Sequence, residues 1–476
     1  MVSSSLYSQL VPDAPAHRRT ERDVVHTGAL GLRQAAGRSF DLPLATPGLG
    51  RPQLVSSYQG VIDQILFAFP SYGMDDPDSV TGYRSVIEAL RPGTRFVVVH
   101  HKSRRAEAEE WFTTAGHDSG NVTYVPLPDY VSFTDWAEDG YVAVTDAEDG
   151  SSYLMEPWEF PRAGDALISE AVQDYVDISS GQAPLIFQGG NCLVGSDFWL
   201  LGRDYFADSV ALLDGPRPPV EPPAGLTGAD FVRTLFADYV DTDRRLIVVG
   251  TRRPLPLREY YGTREADRYF LDGPADGAGT YQPIFHIDMF LTLIGPDEQG
   301  GFQVLVGSPS MGSDLLGTRS PYDLDDVYDT LAADLERAGL NVRRNPLVHR
   351  PTVGRILTME ELRGMAERPD GEPLQAALAE LAAAGAGDSD EVSVRSWHHV
   401  TWNNCLVENS STDGVRRVYM PTYGHGDNAD LAVIDNHMRR MWEGLGFEVS
   451  MLADFNSFAR RQGVVHCIKK YLARGE

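Results

Sequence analysis

The sequence has few cysteines and no long apolar run, and each absence excludes a class of protein. Its three cysteines, Cys192, Cys405 and Cys467, are too scattered for a disulfide framework, and no Cys-x-x-Cys spacing indicates zinc. No segment reaches the roughly 18 apolar residues that a membrane-spanning helix needs. The first residues lack a charged stretch followed by an apolar core, so we predict no signal peptide and a reduced, cytoplasmic protein.

Basic residues are also scarce. The chain has 41 Lys and Arg against 68 Asp and Glu, which gives a formal net charge of −27 over 476 residues. Nucleic-acid binding needs a cationic surface that neutralises phosphates, so this balance argues against a nucleic-acid partner. An acidic surface attracts cationic ligands over long range, although it also serves solubility. The apolar content of 42% is ordinary for a globular protein.

The predicted secondary structure alternates short apolar strands with amphipathic helices, which is typical of an α/β fold. Roughly five strand–strand–helix–strand units can be counted along the chain. The main predicted strands cover residues 64–69, 95–100, 121–126, 185–187, 245–249 and 284–293. The main predicted helices cover residues 79–90, 103–115, 228–239, 324–338 and 428–445.

Two segments interrupt this alternation. Residues 1–55 are rich in Ser, Pro, Arg and Gly, and we predict an N-terminal extension ahead of one domain over residues 56–476. Residues 351–394 contain an Ala-rich predicted helix at 374–384, followed by a loop of Gly, Ala, Ser and Asp. We predict that residues 351–394 form an insertion at the surface, where loops tolerate additions.

A His-Ile-Asp-Met segment is the most informative local pattern. Side chains alternate between the two faces of a strand, so His286 and Asp288 are expected to share one face of the predicted strand. An imidazole and a carboxylate are costly to bury without partners. The pair is either a structural contact or an acid/base histidine beside a carboxylate that holds a ligand.

Four further segments carry side chains of potential catalytic use. Asp139 precedes Gly140 at the start of a predicted strand, where turn formation alone would also explain it. The glycines of Gly189-Gly-Asn191 permit a close approach of backbone. Asn404 precedes a further strand, and Cys467 follows His466 near the end of the chain. A free cysteine is usually a buried filler, but this one could also be a nucleophile.

Taken in this order, the segments resemble the bacterial peptidylarginine deiminase and agmatine deiminase family, guanidine-modifying enzymes of the pentein fold. The likeness runs from about residue 60 to 475. The matching positions are Trp136-Ala-Glu-Asp139, Gly189-Gly-Asn191, His286-Ile-Asp-Met289, Asn404 and Gly463-Val-Val-His-Cys467. The resemblance implies a five-bladed α/β propeller of ββαβ modules with pseudo-fivefold symmetry, whose central channel contains the site.

The resemblance also implies a role for each matching residue. Cys467 would be the nucleophile, His286 the general acid/base, and Asp139 and Asp288 the carboxylates that bind the guanidinium. No cofactor and no metal would be required. The further substrate-binding candidates are Asn404, Trp136, Arg162 and Asn191, of which Arg162 falls near arginines that hold a substrate carboxylate in peptide-acting relatives.

The chemistry of these residue types supports the same assignment. A guanidinium is a planar cation with forked donors, and carboxylates are its natural receptors. A thiolate could attack the central carbon, and a histidine could protonate the departing ammonia and then activate water. The product would be a ureido group of the citrulline type. A thiol between two carboxylates should resist ionisation until a cationic substrate binds.

Three departures from the family pattern bear on the substrate. Glu138 replaces an arginine, Arg461-Gln-Gly-Val464 replaces a Gly-Gly-Gly-Asn stretch, and Gln188 stands where agmatine deiminases tend to have Glu. The chain is also longer than agmatine deiminases. We therefore predict an arginine in a peptide or protein as the substrate, with a small guanidine such as agmatine as the alternative.

Other functions remain open at this point. An amidinotransferase would use the same residues but would pass the amidino group to an amine. A pentein binding protein would lack catalysis altogether, although the four polar positions argue against it. A metal centre could use His286, Asp288, His466 and Cys467, which are all acceptable zinc ligands.

Overall fold

A computed structural model describes residues 48–162, 164–226, 228–273, 277–320, 322–369 and 371–476. Most of the predicted N-terminal extension, residues 1–47, lies outside the described residues. The end of that segment belongs to the body, because Pro52–Leu54 pairs with the strand Val142–Asp146. No helix in the described ranges is long and apolar enough to cross a bilayer.

The strands are numbered in chain order through the described residues. They are β1 Pro52–Leu54, β2 Val61–Phe69, β3 Arg95–His101, β4 Val122–Leu127, β5 Val142–Asp146, β6 Ser152–Glu156, β7 Ser179–Gln182, β8 Cys192–Val194, β9 Phe198–Gly202 and β10 Arg245–Val249. They continue as β11 Tyr261–Glu265, β12 Arg268–Asp272, β13 Leu291–Pro296, β14 Phe302–Ser308, β15 Asn341–Thr358, β16 Glu391–Thr401, β17 Leu406–Asn409, β18 Arg416–Thr422, β19 Phe447–Asp454 and β20 Lys469–Gly475.

The α-helices of the described residues lie mainly between strands of the same sheet. They are α1 Ser71–Asp75, α2 Pro77–Ala89, α3 Arg105–Thr114, α4 Ile168–Gln173, α5 Arg203–Leu213, α6 Gly228–Tyr239, α7 Pro309–Leu316, α8 Asp325–Arg337, α9 Met359–Ala366, α10 Gln375–Ala383, α11 Ala432–Gly444 and α12 Asn456–Arg460. Helix α2 shows the local cause of a boundary. The Asp76 carboxylate accepts the backbone N–H of Ser79, and Pro77 occupies the first turn, so the chain turns helical there.

The described strands form five sheets that repeat one unit. Each sheet contains an antiparallel pair and a third strand, which runs parallel to the second strand of the pair and follows a helix. The units are β5-β6-β7, β8-β9-β10, β13-β14-β15, β17-β18-β19 and β20-β2-β3. A parallel neighbour needs a crossover connection, which the helices supply. The α/β class is therefore confirmed, whereas five blades around one axis stay a prediction.

The sheet of β2 is completed by the last strand of the chain. Strand β20 pairs antiparallel with β2, which in turn runs parallel to β3. Residues 65–69 are buried on both faces of this sheet, as the continuous apolar run predicts. Since Cys467 lies just before β20, this pairing fixes the position of the thiol-bearing segment.

The predicted strand over residues 284–293 is wrong in its first half. Ile287–Met289 forms one turn of 3₁₀ helix, and β13 begins only at Leu291. The Asn191 side-chain oxygen accepts the Ile287 N–H at 3.0 Å, so a side chain takes the place of a strand partner. The expected alternation of His286 and Asp288 on one face therefore does not apply.

The predicted strand over residues 185–187 is also absent from the described sheets. These residues are largely buried, but their backbone groups have other partners. The Ser209 hydroxyl accepts from the Ile186 N–H and donates to its carbonyl, both at 2.9 Å. The Trp158 N–H donates to the Leu185 carbonyl at 2.7 Å. The apolar run therefore reflects burial without strand pairing.

Residues 351–394 form a substructure with a hydrophobic cluster of its own. The long strands β15 and β16 pair antiparallel across it, and β11 and β12 extend the same sheet. Helices α9 and α10 contribute Leu362 and Leu378 to this cluster, which also contains Leu271. Because it draws on residues 260–271, the substructure is larger than the predicted insertion.

The buried side chains of the β2 sheet are expected to contribute strongly to the free energy of unfolding. Phe67 of β2 is completely buried and stacks with Phe69 and Phe96. The Phe67→Ala substitution should lower the free energy of unfolding by about 3–5 kcal/mol, because it leaves a cavity. Urea unfolding followed by circular dichroism measures this loss. The exposed Tyr130→Ala control should change it by less than about 0.5 kcal/mol, and equal effects would contradict the prediction.

Candidate active site

Asn404 holds the segment that carries the thiol. Its side-chain oxygen accepts the backbone N–H of His466 at 2.8 Å and that of Cys467 at 3.3 Å. Its side-chain nitrogen lies 3.2 Å from the Cys467 sulfur. The Cys467 carbonyl in turn accepts the Glu138 N–H at 3.1 Å. The thiol is therefore fixed from two sides, by the start of β17 and by the segment before β5.

Asp288 lies directly beside this thiol. Its Oδ2 is hydrogen-bonded to His466 Nδ1 at 2.8 Å and lies 3.7 Å from the Cys467 sulfur. Its Oδ1 is buried and has no hydrogen-bond partner in the described structure. Burial, together with the charges of Glu138 and Asp139, raises the pKa of Asp288 well above its ordinary value. One oxygen of this carboxylate is thus held, and the other is available to a ligand.

Asp139 also has one carboxylate oxygen that is bound by a neighbouring side chain and one that is not. Its Oδ2 accepts from Arg162 Nη2 at 2.7 Å, whereas its buried Oδ1 has no hydrogen-bond partner among the described residues. That Oδ1 lies 3.6 Å from His286 Nδ1. Burial raises the pKa of Asp139, and the Arg162 charge partly opposes this rise. The structure therefore brings Asp139 and His286 together, with Arg162 behind the carboxylate.

The glycine-rich turn packs directly against His286. His286 Nε2 lies 2.7 Å from the Gln188 side-chain oxygen. A Cβ atom on Gly190 would lie 2.5 Å from His286 Nδ1, so only glycine fits at this distance. Asn191 extends the turn, and its amide binds the Phe285 carbonyl at 2.9 Å. The Gly-Gly-Asn segment thus sets the position of the imidazole.

Two of the predicted substrate-binding residues lie behind the site. Both ends of the Asn191 amide are occupied by neighbouring groups, with the oxygen accepting from the backbone of Ile287 and from Gln282. Trp136 is buried against Gly463, where a Cβ atom would lie 2.2 Å from the indole ring. Contact of Asn191 or Trp136 with substrate stays a prediction. In the structure, Asn191 holds the backbone around His286, and Trp136 packs against the segment that leads to Cys467.

The charges of the site residues change one another's pKa values. Burial, followed by the charges of Asp288 and Asp139, raises the pKa of the Cys467 thiol well above its ordinary value. Burial, followed by the charges of Lys469 and Lys470, lowers the pKa of His466 well below its ordinary value, and His286 makes a smaller contribution. The expected resistance of the thiol to ionisation is confirmed in direction. A cation between the two carboxylates would relieve it.

The alternative of a metal centre is not supported. Among the residues that the structure describes, no three His, Cys, Asp or Glu side chains are arranged to hold a metal ion. The four candidate ligands are instead joined by contacts to neighbouring protein groups, such as the 2.8 Å bond between His466 and Asp288. These contacts give no support to a zinc site of these four residues.

One feature of the site was not predicted from the sequence. Glu138, identified only as a departure from the family pattern, is buried between Lys469 and Lys470, at 2.5 and 2.9 Å. Two lysines at the start of an apolar strand, directly after the Cys467 segment, were the available signal. Buried lysines need acidic partners, so this pattern indicates a buried carboxylate nearby.

Comparison with known proteins gives a fold but no family assignment. No family model and no curated protein matches this chain. A solved structure described as an agmatine deiminase aligns with a TM-score of 0.53 at 15% identity, over 91% of this chain and 98% of its own. The agmatine deiminase of Enterococcus faecalis aligns with a TM-score of 0.51 at 13% identity, over 91% and 98% of the two chains.

A third structure agrees with these two. A Cys-to-Ser variant of the C. jejuni agmatine deiminase, with substrate bound, aligns with a TM-score of 0.50 at 11% identity, over 88% of this chain and 96% of its own. At such identities the likeness concerns the fold, which is an α/β fold with neighbours of the pentein type. The expected peptidylarginine deiminase relationship stays a prediction.

The carboxylate beside the thiol predicts a measurable change in thiol reactivity. Because the Asp288 charge raises the pKa of Cys467, Asp288→Asn should lower that pKa and increase the thiolate fraction. Alkylation of Cys467 by iodoacetamide near neutral pH should accelerate about tenfold for each unit of decrease. Mass spectrometry of the Cys467 peptide measures the rate. Cys405, whose pKa burial raises to about 12, is the internal control and should not change.

Proposed function

We propose that this protein is a hydrolase that releases ammonia from a guanidinium group through covalent attack by Cys467. The observation that carries the proposal is the pair of buried oxygens Asp139 Oδ1 and Asp288 Oδ1, which have no hydrogen-bond partner among the described residues. A buried charged acceptor without a donor is costly. A cation with several N–H donors is the ligand that such oxygens favour.

A guanidinium fits this requirement better than an ammonium. It is flat, and its forked donors match carboxylate oxygens on two edges. The Cys467 sulfur is within 3.7 Å of Asp288, so a guanidinium held there presents its central carbon to the thiol. Fixing the reacting atoms in this way supplies several kcal/mol of barrier reduction.

The reaction then follows from the chemistry of the groups. The substrate charge offsets the carboxylates and favours the Cys467 thiolate, whose proton passes to His286. The sulfur bonds to the guanidinium carbon, His286 returns the proton to one nitrogen, and the carbon–nitrogen bond breaks to release ammonia. Water, deprotonated by His286, attacks the remaining thiouronium. The carbon–sulfur bond breaks, which leaves a ureido product and restores Cys467.

The substrate class follows the solved relatives. The three aligned structures described above are named as agmatine deiminases, which supports a small guanidine over the peptide arginine that we predict from the extra segments. One of those segments, residues 351–394, packs around its own hydrophobic cluster, so its presence does not require a peptide substrate. A small guanidine is therefore the main proposal, and peptide arginine is a second class to be assayed.

Arg162 is proposed to position Asp139. Its guanidinium bridges Asp139 at 2.7 Å and Asp165 at 2.5 Å, and it is largely buried. The sequence resemblance suggests instead that Arg162 holds a substrate carboxylate. A guanidinium that already binds two carboxylates has fewer donors for a third.

Replacement of the nucleophile should abolish turnover. Cys467→Ser is expected to reduce ammonia release by at least about 1,000-fold, because the hydroxyl cannot form the thiouronium. Assays with agmatine, free arginine and arginine peptides should measure ammonia and the ureido product in parallel. Cys405→Ser, at another buried cysteine, should retain activity. Product formation only with an added amine would indicate an amidinotransferase, and no turnover of any guanidine would indicate a binding protein; both outcomes contradict the proposal.

Replacement of Arg162 separates its two proposed roles. If Arg162 positions Asp139, Arg162→Gln should lower kcat/KM about tenfold or more for agmatine and for arginine alike, because both depend on that carboxylate. A selective loss with arginine, which alone carries a carboxylate, would contradict this role and support recognition of the substrate carboxylate. Arg244→Gln is a matched control, since Arg244 forms a comparable buried ion pair with Asp241, and it should leave kcat/KM unchanged.

A further inference from the structure

Three charged side chains form a buried cluster beneath the candidate site. Lys469 Nζ lies 2.5 Å from one oxygen of Glu138, and Lys470 Nζ lies 2.9 Å from the other. Lys469 is completely buried, and Lys470 and Glu138 are 5% and 4% exposed. One carboxylate therefore serves two ammonium groups, and the cluster carries one net positive charge when all three are ionised.

The cluster is connected to both carboxylates of the site. Glu138 immediately precedes Asp139 and donates its backbone N–H to the Cys467 carbonyl. The charge of Lys469 lowers the pKa of Asp288, against the larger opposing effect of Glu138, and the charge of Lys470 lowers the pKa of Asp139. The two lysines therefore oppose protonation of the carboxylates on which guanidinium binding depends.

The charges around the site leave room for one further cation. The acidic groups are Asp139, Asp165, Asp288 and Glu138, and the cations bound to them are Arg162, Lys469 and Lys470. These buried groups carry one uncompensated negative charge when ionised. A single guanidinium neutralises it, whereas without the two lysines the carboxylates would retain their protons more readily.

We propose that the buried lysines Lys469 and Lys470, which share the Glu138 carboxylate, are positioning residues that favour the ionised forms of Asp288 and Asp139, which receive the substrate cation. This inference rests on the proposed function of the site and names residues that the family pattern does not assign. Lys469 and Lys470 do not touch the reacting atoms. They act through the field that they create in a site with little water to screen it.

The surroundings of Lys469 define the pH range of the effect. Burial lowers the pKa of Lys469 to about 8, although Glu138 opposes the decrease. The titratable groups around it are Glu138, Lys470, Asp288 and His466, and its ammonium lies 3.8 Å from the centre of the Tyr471 ring. Above about pH 8 Lys469 therefore loses its charge, and its contribution to the carboxylates ends.

The test measures binding without turnover. In the Cys467→Ser background, calorimetry gives the affinity for methylguanidinium across a range of pH. Binding should weaken as the pH falls and the carboxylates take up protons, and the acid midpoint is the pH at which half of this loss has occurred. The Lys469→Met substitution should move the acid midpoint upward by about one pH unit, because one nearby positive charge is lost. At pH values below the midpoint, the substitution should therefore weaken binding about tenfold. The two proteins should converge above about pH 8, where Lys469 is neutral in the parent. Lys469→Arg should restore the parent midpoint, and Lys470→Met should shift it in the same direction as Lys469→Met.

Controls separate this electrostatic role from a structural one. Arg395→Met removes another buried cation, which is paired with Asp272 and contacts none of the site residues, and it should leave the midpoint unchanged. Weaker binding at every pH by the same factor, or an unchanged midpoint in folded Lys469→Met and Lys470→Met proteins, would overturn the inference. If the parent binds no methylguanidinium at any pH, the proposed function fails instead.

Discussion

The antiparallel pairing of β20 with β2 is the contact on which the candidate site depends. It joins the last strand of the chain to the first long strand of the body. Cys467 lies just before β20, and its partners Asp288 and Asn404 are 179 and 63 residues earlier in the chain. Closing such long segments costs conformational entropy, which burial on both faces of the β2 sheet offsets. The thiol reaches the carboxylates because the fold closes there.

Within that frame, each functional group is held from behind by a second polar group. Arg162 holds Asp139, His466 holds Asp288, and Gln188 lies against the imidazole of His286. The oxygens that face inward on the two carboxylates are left to a ligand. This arrangement is costly in the free protein, because buried charges lack full compensation, but it requires little reorganisation when a cation binds.

The sequence predicts those parts of the molecule whose causes are local. Strands β2 and β3 follow from continuous apolar runs, and helix α2 follows from its Asp76 cap and its periodicity. The errors arise where a distant side chain replaces a strand partner, as Asn191 does for Ile287 and Ser209 does for Ile186. No local pattern reveals such bonds. The order of short motifs predicts the candidate site residues, whereas the partners that hold them depend on contacts across the fold.

The proposed role of Lys469 and Lys470 would offset one departure from the motif that the sequence resembles, the glutamate at position 138. The pattern that this chain resembles has an arginine at this position, with one positive charge. Here a carboxylate with Lys469 and Lys470 carries the same net charge when all three groups are ionised. Of the two ammonium groups, Lys470 lowers the pKa of Asp139, and Lys469 lowers the pKa of Asp288 against the effect of Glu138. The field at the site depends on this net charge and its distance more than on the residue that carries it, so the substitution of glutamate for arginine is compatible with the same chemistry.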